Sequence, residues 1–335
     1  MIKSQKDIAV SICCITYNQA SYIRKCLDGL IMQKTNFKYE IIIHDDCSTD
    51  GTTDIVKEYA DKYPDLIVPI IQSVNQYQKG NKRILASYVF PIAKGKYYAI
   101  CEGDDYWIDP LKIQKQVDFL DLHPDVGMCF TDFDVFFVKS RKYYHSVLKN
   151  YPEKYCSVYE TLDKWLLGQY YVGPMTWMVR SKLWKACPKI NSIDGTFVQF
   201  AHFYASSKVF CLKDETTAVY RCHDGSATHQ LTAKKQYERE KGIFEVKLAL
   251  LELYRDKISD YDSTLFGIKK NFYSTLLLIL NNGDKNEIEN ARLILGKKKS
   301  LKQKIIFMIY RIPFGLEFLM YIRTHIREIK ENKYL

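Results

Sequence analysis

EIIIHDDCSTDG, residues 40–51, is an apolar run that stops on two carboxylates and a turn. A second passage, YYAICEGDDYW at residues 97–107, ends likewise on Glu102, Asp104 and Asp105. Runs rich in Ile and Tyr read as strands, and Ser-Thr-Asp-Gly reads as the turn that opens a helix. In open α/β sheets, ligands gather beyond the carboxyl ends of the strands. Two acidic strand ends therefore predict one cleft that takes a nucleotide and its metal, and with it an activated, phosphate-bearing donor.

Outward from these passages the pattern alternates. An apolar run at Ile8–Ile15 precedes an amphipathic stretch at Ser21–Gln33, and the run from Glu40 precedes another at Thr52–Tyr63. A further run follows at Leu66–Ile71, then a predicted helix near Lys82–Ala93 and a strand at Lys96–Cys101. Strands separated by helices of this length make βαβ units and a mostly parallel sheet flanked by helices. Asp109–His123 reads as a helix with Asp109 as N-cap and Pro110 in its first turn. Val126–Val138 reads as a strand or hairpin carrying Thr131, Asp132 and Asp134. Beyond it strands are expected at Met175–Val179 and Thr217–Arg221, with helices near Thr161–Leu167 and Ile193–Ala205. From Gln230 onward Gly and Pro are sparse and helical periodicity takes over, which predicts a catalytic domain over residues 1–229 and a helical region over 230–335.

At 335 residues and 47% hydrophobic, the chain has enough apolar material for one large core plus an appendage, so an ordered protein is expected. Its ten cysteines are scattered without a CxxC spacing, which excludes the usual zinc and thioredoxin patterns and predicts reduced, mostly buried thiols. The first residues lack the apolar region and cleavage site of a secretory signal, so residence in the cytosol is expected. Part of the net charge of +10 crowds at Lys297, Lys298, Lys299, Lys302 and Lys304, just ahead of an apolar stretch. That stretch is broken by Arg311, Pro313 and Glu317, short of the ~20 apolar residues a membrane span needs. It reads either as an interfacial segment lying on an anionic membrane surface, peripheral to the inner face of the cell membrane, or as a helix packed on the catalytic domain. No nucleic-acid-binding pattern accompanies the charge, so no nucleic-acid partner is expected.

Asp45 and Asp46 leave the second strand, and Thr16, Tyr17 and Asn18 leave the first. Sequential βαβ strands are usually neighbours, so these five residues would form one wall for a nucleoside. Glu102, Gly103 and Asp104 form Glu-x-Asp, two hard oxygen donors on one side of an extended segment, as Mg²⁺ or Mn²⁺ needs when it also holds a diphosphate. Acidic turns also start helices, and Asp105 is the member that explanation suits best. Neither GxxxxGK[ST] nor a GxGxxG after the first strand is present, which removes the main support for kinases, ATPases and dinucleotide oxidoreductases.

Taken together, VSICCITYNQASYIRKCLDGLIMQ, EIIIHDDCSTDGTTDIV and GKYYAICEGDDYWIDPLKIQKQ resemble the nucleotide-sugar domain of the family 2 glycosyltransferases of GT-A fold, over about Ile8–His229. The resemblance implies that Thr16, Tyr17, Asn18 and Asp46 line a uridine site that Asp45 shapes. Glu102-Gly103-Asp104 stands where the family has its Asp-x-Asp metal motif, with Gly103 by the nucleotide, Asp104 the principal ligand and Glu102 acting directly or through water. His223 in YRCHDGSAT resembles a histidine that relatives aim at the metal or diphosphate. Asp194, in SIDGTFVQFAHFYA, is the implied catalytic base, with Asp132 and Asp134 as rival acids. Asp105, Thr176 and Trp177 are expected on the acceptor side. The family's processive members carry QxxRW, and no Trp here has that setting, so transfer of a single sugar is expected. The implied enzyme is an inverting, metal-dependent transferase moving a sugar from a UDP-sugar to a hydroxyl of a glycan or lipid-linked acceptor in polysaccharide biosynthesis. A nucleotidyltransferase, or a UDP-binding module without activity, would use the same acidic strand ends.

Overall fold

Ile8–Thr16 forms β1 and Lys38–Asp45 forms β2, and their registers run in parallel from Ile8 opposite Lys38 to Thr16 opposite Asp45. The computed structural model describes residues 8–151, 161–168, 172–190, 192, 195–225 and 233–279. β3 (Ile67–Ile71) lies beside β2, and β4 (Tyr97–Glu102) lies on the other side of β1, again in parallel. Ile12, Cys13, Cys14, Ile41, Ile42, Ile43, Tyr98 and Ala99 are almost wholly enclosed. Strands covered on both faces are written as continuous apolar runs, which is why these were readable.

Beyond β4 the sheet continues through β8 (Trp177–Arg180), β6 (Val126–Phe137), β9 (Lys208–Cys222) and β5 (Tyr106–Trp107), with β7 (Lys142–Tyr144) on the far end of β6. β8 is antiparallel to both β4 and β6, so β4 and β6 point the same way. β9 is parallel to β6. The last residues of β1, β2, β4, β6 and β9 consequently lie at one end of the sheet.

Helix α1 (Ala20–Ile31) buries Ile23, Cys26, Leu27 and Leu30, a 3.6-period stripe packed on the sheet. α2 (Thr52–Lys62) follows β2, and α3 (Lys112–Leu122) follows β5. Three expectations are corrected. The helix predicted over Lys82–Ala93 is a single π-helical turn, Leu85–Val89, because Pro91 bars continuation and Asn81 Oδ1 takes the Arg83 N–H at 3.0 Å. α3 starts later than Asp109, whose Oδ1 accepts the Leu111 N–H at 2.8 Å and holds the entry turn instead of capping the helix. The strand expected at Thr217–Arg221 is the end of the much longer β9, whose charged stretch Lys213-Asp214-Glu215 hid it.

The chain divides into two compact units, residues 1–162 with 168–226, and residues 163–167 with 227–335. The second unit is built on α8 (Ala233–Leu253) and α9 (Tyr261–Ile279), counting the shorter helices at Val147–Asn150, Leu162–Leu167, Ser181–Lys185 and Gly195–Ser206 as α4 to α7. Phe244 and Phe272 stack with ring centroids 4.0 Å apart. Asp163 Oδ1 accepts from the Ser259 N–H at 3.0 Å and the Thr264 hydroxyl at 3.2 Å, so residues 163–167 join this helical unit although the sequence placed them in the first domain. The basic and apolar C-terminal stretch lies outside the described residues. Among those described, no helix is long and apolar enough to cross a membrane.

Candidate active site

The loops after β1 and β2 are stitched together by side chains. Asn18 adopts a left-handed backbone (φ 51), from which its Oδ1 accepts the Thr49 N–H at 2.8 Å and its own N–H donates to Ser48 Oγ at 2.9 Å. The Gln19 N–H donates to Thr52 Oγ1 at 2.8 Å, and the Ala20 N–H to Asp50 Oδ2 at 2.9 Å. Asp45 is fully enclosed and accepts from the hydroxyls of Ser48 and Thr53, which makes it the post around which this turn winds. Asp46 donates its N–H to Thr16 O at 3.0 Å, while its carboxylate accepts the Gln76 and Tyr77 N–H groups at 2.8 and 3.0 Å. Thr16 is buried and donates to Gln19 Oε1 at 2.8 Å, and the neighbouring Tyr17 is exposed. The sequence-predicted wall of Thr16, Tyr17, Asn18, Asp45 and Asp46 is thus one continuous structure.

The acidic turn after β4 adjoins that wall, because Glu102 pairs with Ile15 and the Gly103 N–H donates to Ile15 O at 3.0 Å. A β-carbon on Gly103 would sit 2.5 Å from Gln19 Oε1 and 2.8 Å from both Thr16 Oγ1 and Ile23 Cδ1, so a larger residue here would displace the side chains of the wall. Glu102, Asp104 and Asp105 each bring a carboxylate oxygen within 4.8 Å of the others. Asp105 is 1% exposed. Its Oδ1 accepts the Arg221 N–H at 2.8 Å, and its buried Oδ2 has no hydrogen-bond partner among the described residues. Burial, and then the charges of Asp104 and Glu102, push the Asp105 carboxyl well above the ordinary carboxylate range. A buried acceptor without a donor, among like charges, suits a hard divalent cation with oxygen ligands. His223 reaches the same turn, its Nε2 3.1 Å from Asp104 Oδ2 and its ring 4.5 Å from that of Tyr22.

Arg221 went unnoticed in the sequence. It is buried near the end of β9, with rings on two sides: its guanidinium carbon is 4.9 Å from the Tyr22 centroid and 5.0 Å from that of Tyr106. Its Nε donates to Asp104 O, and its Nη2 donates to Tyr22 O at 3.0 Å and Asp105 O at 3.2 Å. One fork therefore fixes the backbone of the acidic turn against α1. The only signal was its place two residues before His223, inside the stretch YRCHDGSAT. Lysine has the charge but not the rigid fork that reaches three carbonyls. Arg221→Lys is expected to weaken Mn²⁺-supported UDP binding by about 10-fold, measured by calorimetry, because loosened positioning converts directly into lost affinity. Unchanged binding would make Arg221 merely structural.

Three acceptor-side expectations are corrected. Thr176 and Trp177 are enclosed, with Trp177 packed on Phe200 at 5.1 Å and Trp184 at 6.1 Å, so they form core beneath the sheet. Their aromatic-rich sequence suited a core as well as a binding surface. Asp105 lies under the acidic turn and faces Arg221 and its fellow carboxylates. Of the acids considered for the base, Asp194 lies outside the described residues. Asp132 is fully buried and accepts N–H groups from Phe133, Leu148 and Lys149 at 2.7, 2.8 and 3.1 Å. Asp134 accepts the Ser146 N–H at 2.9 Å and meets His145 Nδ1 at 2.8 Å.

Comparison with known proteins places the chain in a family and a fold. The profile of "Glycosyl transferase family 2" matches residues 11–186, more than half of the chain. An uncharacterized protein of Mycobacterium tuberculosis is 50% identical over 122 residues, 36% of this chain and 34% of that protein. The UDP-Glc:alpha-D-GlcNAc-diphosphoundecaprenol beta-1,3-glucosyltransferase WfaP of Escherichia coli is 31% identical over 156 residues, 44% of this chain and 57% of that enzyme. The matches therefore span between a third and just over half of these curated relatives. Among solved structures, S. aureus TarS 1-349 in complex with UDP-GlcNAc superposes with a TM-score of 0.56 at 20% identity, over 93% of this chain and 84% of that one, a likeness of fold.

Proposed function

The chain belongs to glycosyl transferase family 2, and from that premise we propose that it moves one sugar, with inversion, from a UDP-sugar to a hydroxyl of a glycan or lipid-linked acceptor in polysaccharide biosynthesis. The observation that carries this reading is the triad of Glu102, Asp104 and Asp105, with an undonated buried oxygen, set directly against the wall of Thr16 and Asp46. The E. coli relative's name, with its UDP-linked donor and diphosphoundecaprenol-linked acceptor, supports both substrate classes.

In this reading Tyr17 and Asp46 orient the uridine while Asn18 and Asp45 keep the wall in shape. Asp104, Glu102 and Asp105 would hold Mn²⁺ or Mg²⁺, which when bound supplies Lewis-acid stabilisation of a departing diphosphate. His223, whose Nε2 lies 3.1 Å from Asp104 Oδ2, holds that carboxylate at the edge of the same site. Asp194 takes the proton from the acceptor hydroxyl, whose oxygen attacks the anomeric carbon from the face opposite the diphosphate, so a single displacement inverts that centre. The enzyme works at the cytoplasmic face of the membrane, held peripherally by the C-terminal basic and apolar segment.

Incubation with a panel of nucleotide sugars and Mn²⁺ tests this. Release of UDP from a UDP-sugar is expected, lost with EDTA and restored by excess Mn²⁺. Pyrophosphate release from a nucleoside triphosphate and a sugar phosphate would identify a nucleotidyltransferase instead, and UDP binding without turnover a binding module.

A further inference from the structure

We propose that the β6–β7 hairpin carries a carbohydrate-binding platform, Tyr143 with His145, that receives a pyranose ring of the acceptor. This rests on the glycosyltransferase reading and adds to it a site for the second substrate. Paired residues on neighbouring strands share a face of the sheet. Tyr106 pairs with Val219, Val219 with Asp134, Arg221 with Phe136, and Phe136 with Tyr143. The acidic turn's clamp, Arg221, and the Tyr143 ring therefore stand on one face, two strand spacings or roughly 10 Å apart. Phe136 and Tyr106 occupy the interval between them, so a bound sugar would rest on this face and not between the two side chains. The link is also direct, since the hydroxyls of Tyr143 and Tyr106 are 3.0 Å apart and Tyr106 follows Asp105.

The platform is built rather than incidental. Tyr143 rests on Phe136 with centroids 4.3 Å apart, and the rings of Tyr143 and His145 are parallel within 6° at 5.7 Å. Tyr143 is nevertheless 42% exposed, and the His145 side chain 71%. Asp134, bonded to His145 Nδ1 at 2.8 Å, fixes the imidazole and leaves Nε2 as a polar handle. Ser146 is held in a left-handed conformation (φ 47) by its N–H bond to Asp134 and a 2.9 Å hydroxyl bond to Thr216. A non-glycine residue in that conformation is strained, and strain of this kind collects where a side chain must be aimed. Parallel, exposed aromatic rings with a hydrogen-bonding edge suit the C–H face and hydroxyls of a pyranose: the negative ring faces attract polarised C–H groups, and the imidazole meets a hydroxyl.

Saturation-transfer NMR with methyl β-D-glucopyranoside and methyl N-acetyl-β-D-glucosaminide, on the full chain with UDP and Mn²⁺, tests the assignment. Binding of at least one glycoside is expected, about 10-fold weaker in Tyr143→Ala and in His145→Ala, and retained in Tyr143→Phe, which keeps the ring and loses only the bond to Tyr106. Absence of glycoside binding to the wild type, or undiminished binding to Tyr143→Ala, would overturn the platform. UDP affinity, measured on the same samples, is expected to be unchanged in all three variants. If glycosides bind as expected but no nucleotide sugar is turned over, the donor reading falls and the carbohydrate site stands.

Discussion

Asp104→Asn is expected to lower Mn²⁺ affinity at least 100-fold and Mn²⁺-supported UDP release by about 10³-fold, because a neutral amide replaces a charged oxygen donor. Among the triad Asp105 is sealed, whereas the Asp104 side chain is 20% exposed and so open to a diphosphate-bound ion. The substitution keeps size and hydrogen-bonding shape. It also leaves the turn's backbone clamped, since Arg221 donates to the carbonyl of Asp104 and not to its carboxylate. The fold should therefore survive. Without metal, removing the Asp104 charge relieves the repulsion that raises the Asp105 carboxyl and should leave the melting temperature equal to or above that of the wild type. Electron paramagnetic resonance titration of Mn²⁺ and a thermal melt separate these effects. A variant with a normal melt and Mn²⁺-dependent turnover within tenfold of wild type would show that the ion is held elsewhere.

How much of this was legible in the sequence follows from how each part is stabilised. β1, β2 and β4 are buried on both faces, so their boundaries and acidic ends stood out as apolar runs with abrupt stops. That Glu102 and Asp104 lie beside the Thr16–Asp46 wall could be expected for that reason, because parallel pairing brings those strand ends together, whereas His223 was singled out only by family resemblance. The cross-loop bonds of Asn18, Ser48 and Thr49 were hidden, because Asn, Ser and Thr suit any turn. Arg221 was missed because its partners are backbone carbonyls, which leave no mark in a sequence. Trp177 misled in the opposite direction: an aromatic strand looks alike whether it floors a cleft or fills a core, and only its packing on Phe200 and Trp184 decides. Val126–Val138 was read as a strand or hairpin, and Tyr143 and His145 beyond it were not singled out. The left-handed turn at Ser146 that positions His145 became visible only in three dimensions.

Asp194→Asn is expected to slow sugar transfer by about 10²- to 10⁴-fold while leaving UDP and Mn²⁺ affinity unchanged, the loss belonging to a general base and not to a donor ligand. The assignment rests on family resemblance, and the rival acids have other partners. Asp132 has three N–H donors on its two oxygens, and moving a proton onto it would sacrifice those bonds inside the core. Asp134 already orients His145 and caps the Ser146 N–H. Asp105 belongs to the cation cluster. Asp194 immediately precedes α7 in the chain, the place at which family resemblance puts an acid before a helix. An acceptor hydroxyl cannot attack while it retains its proton, so loss of the base should appear in turnover and not in donor binding. The companion substitution Asp132→Asn separates the possibilities: it should lower the melting temperature, with residual turnover per folded molecule close to normal. If Asp194→Asn transfers sugar at the wild-type rate while Asp132→Asn, still folded, does not, the base lies in the sheet and the roles assigned to these two residues must be exchanged.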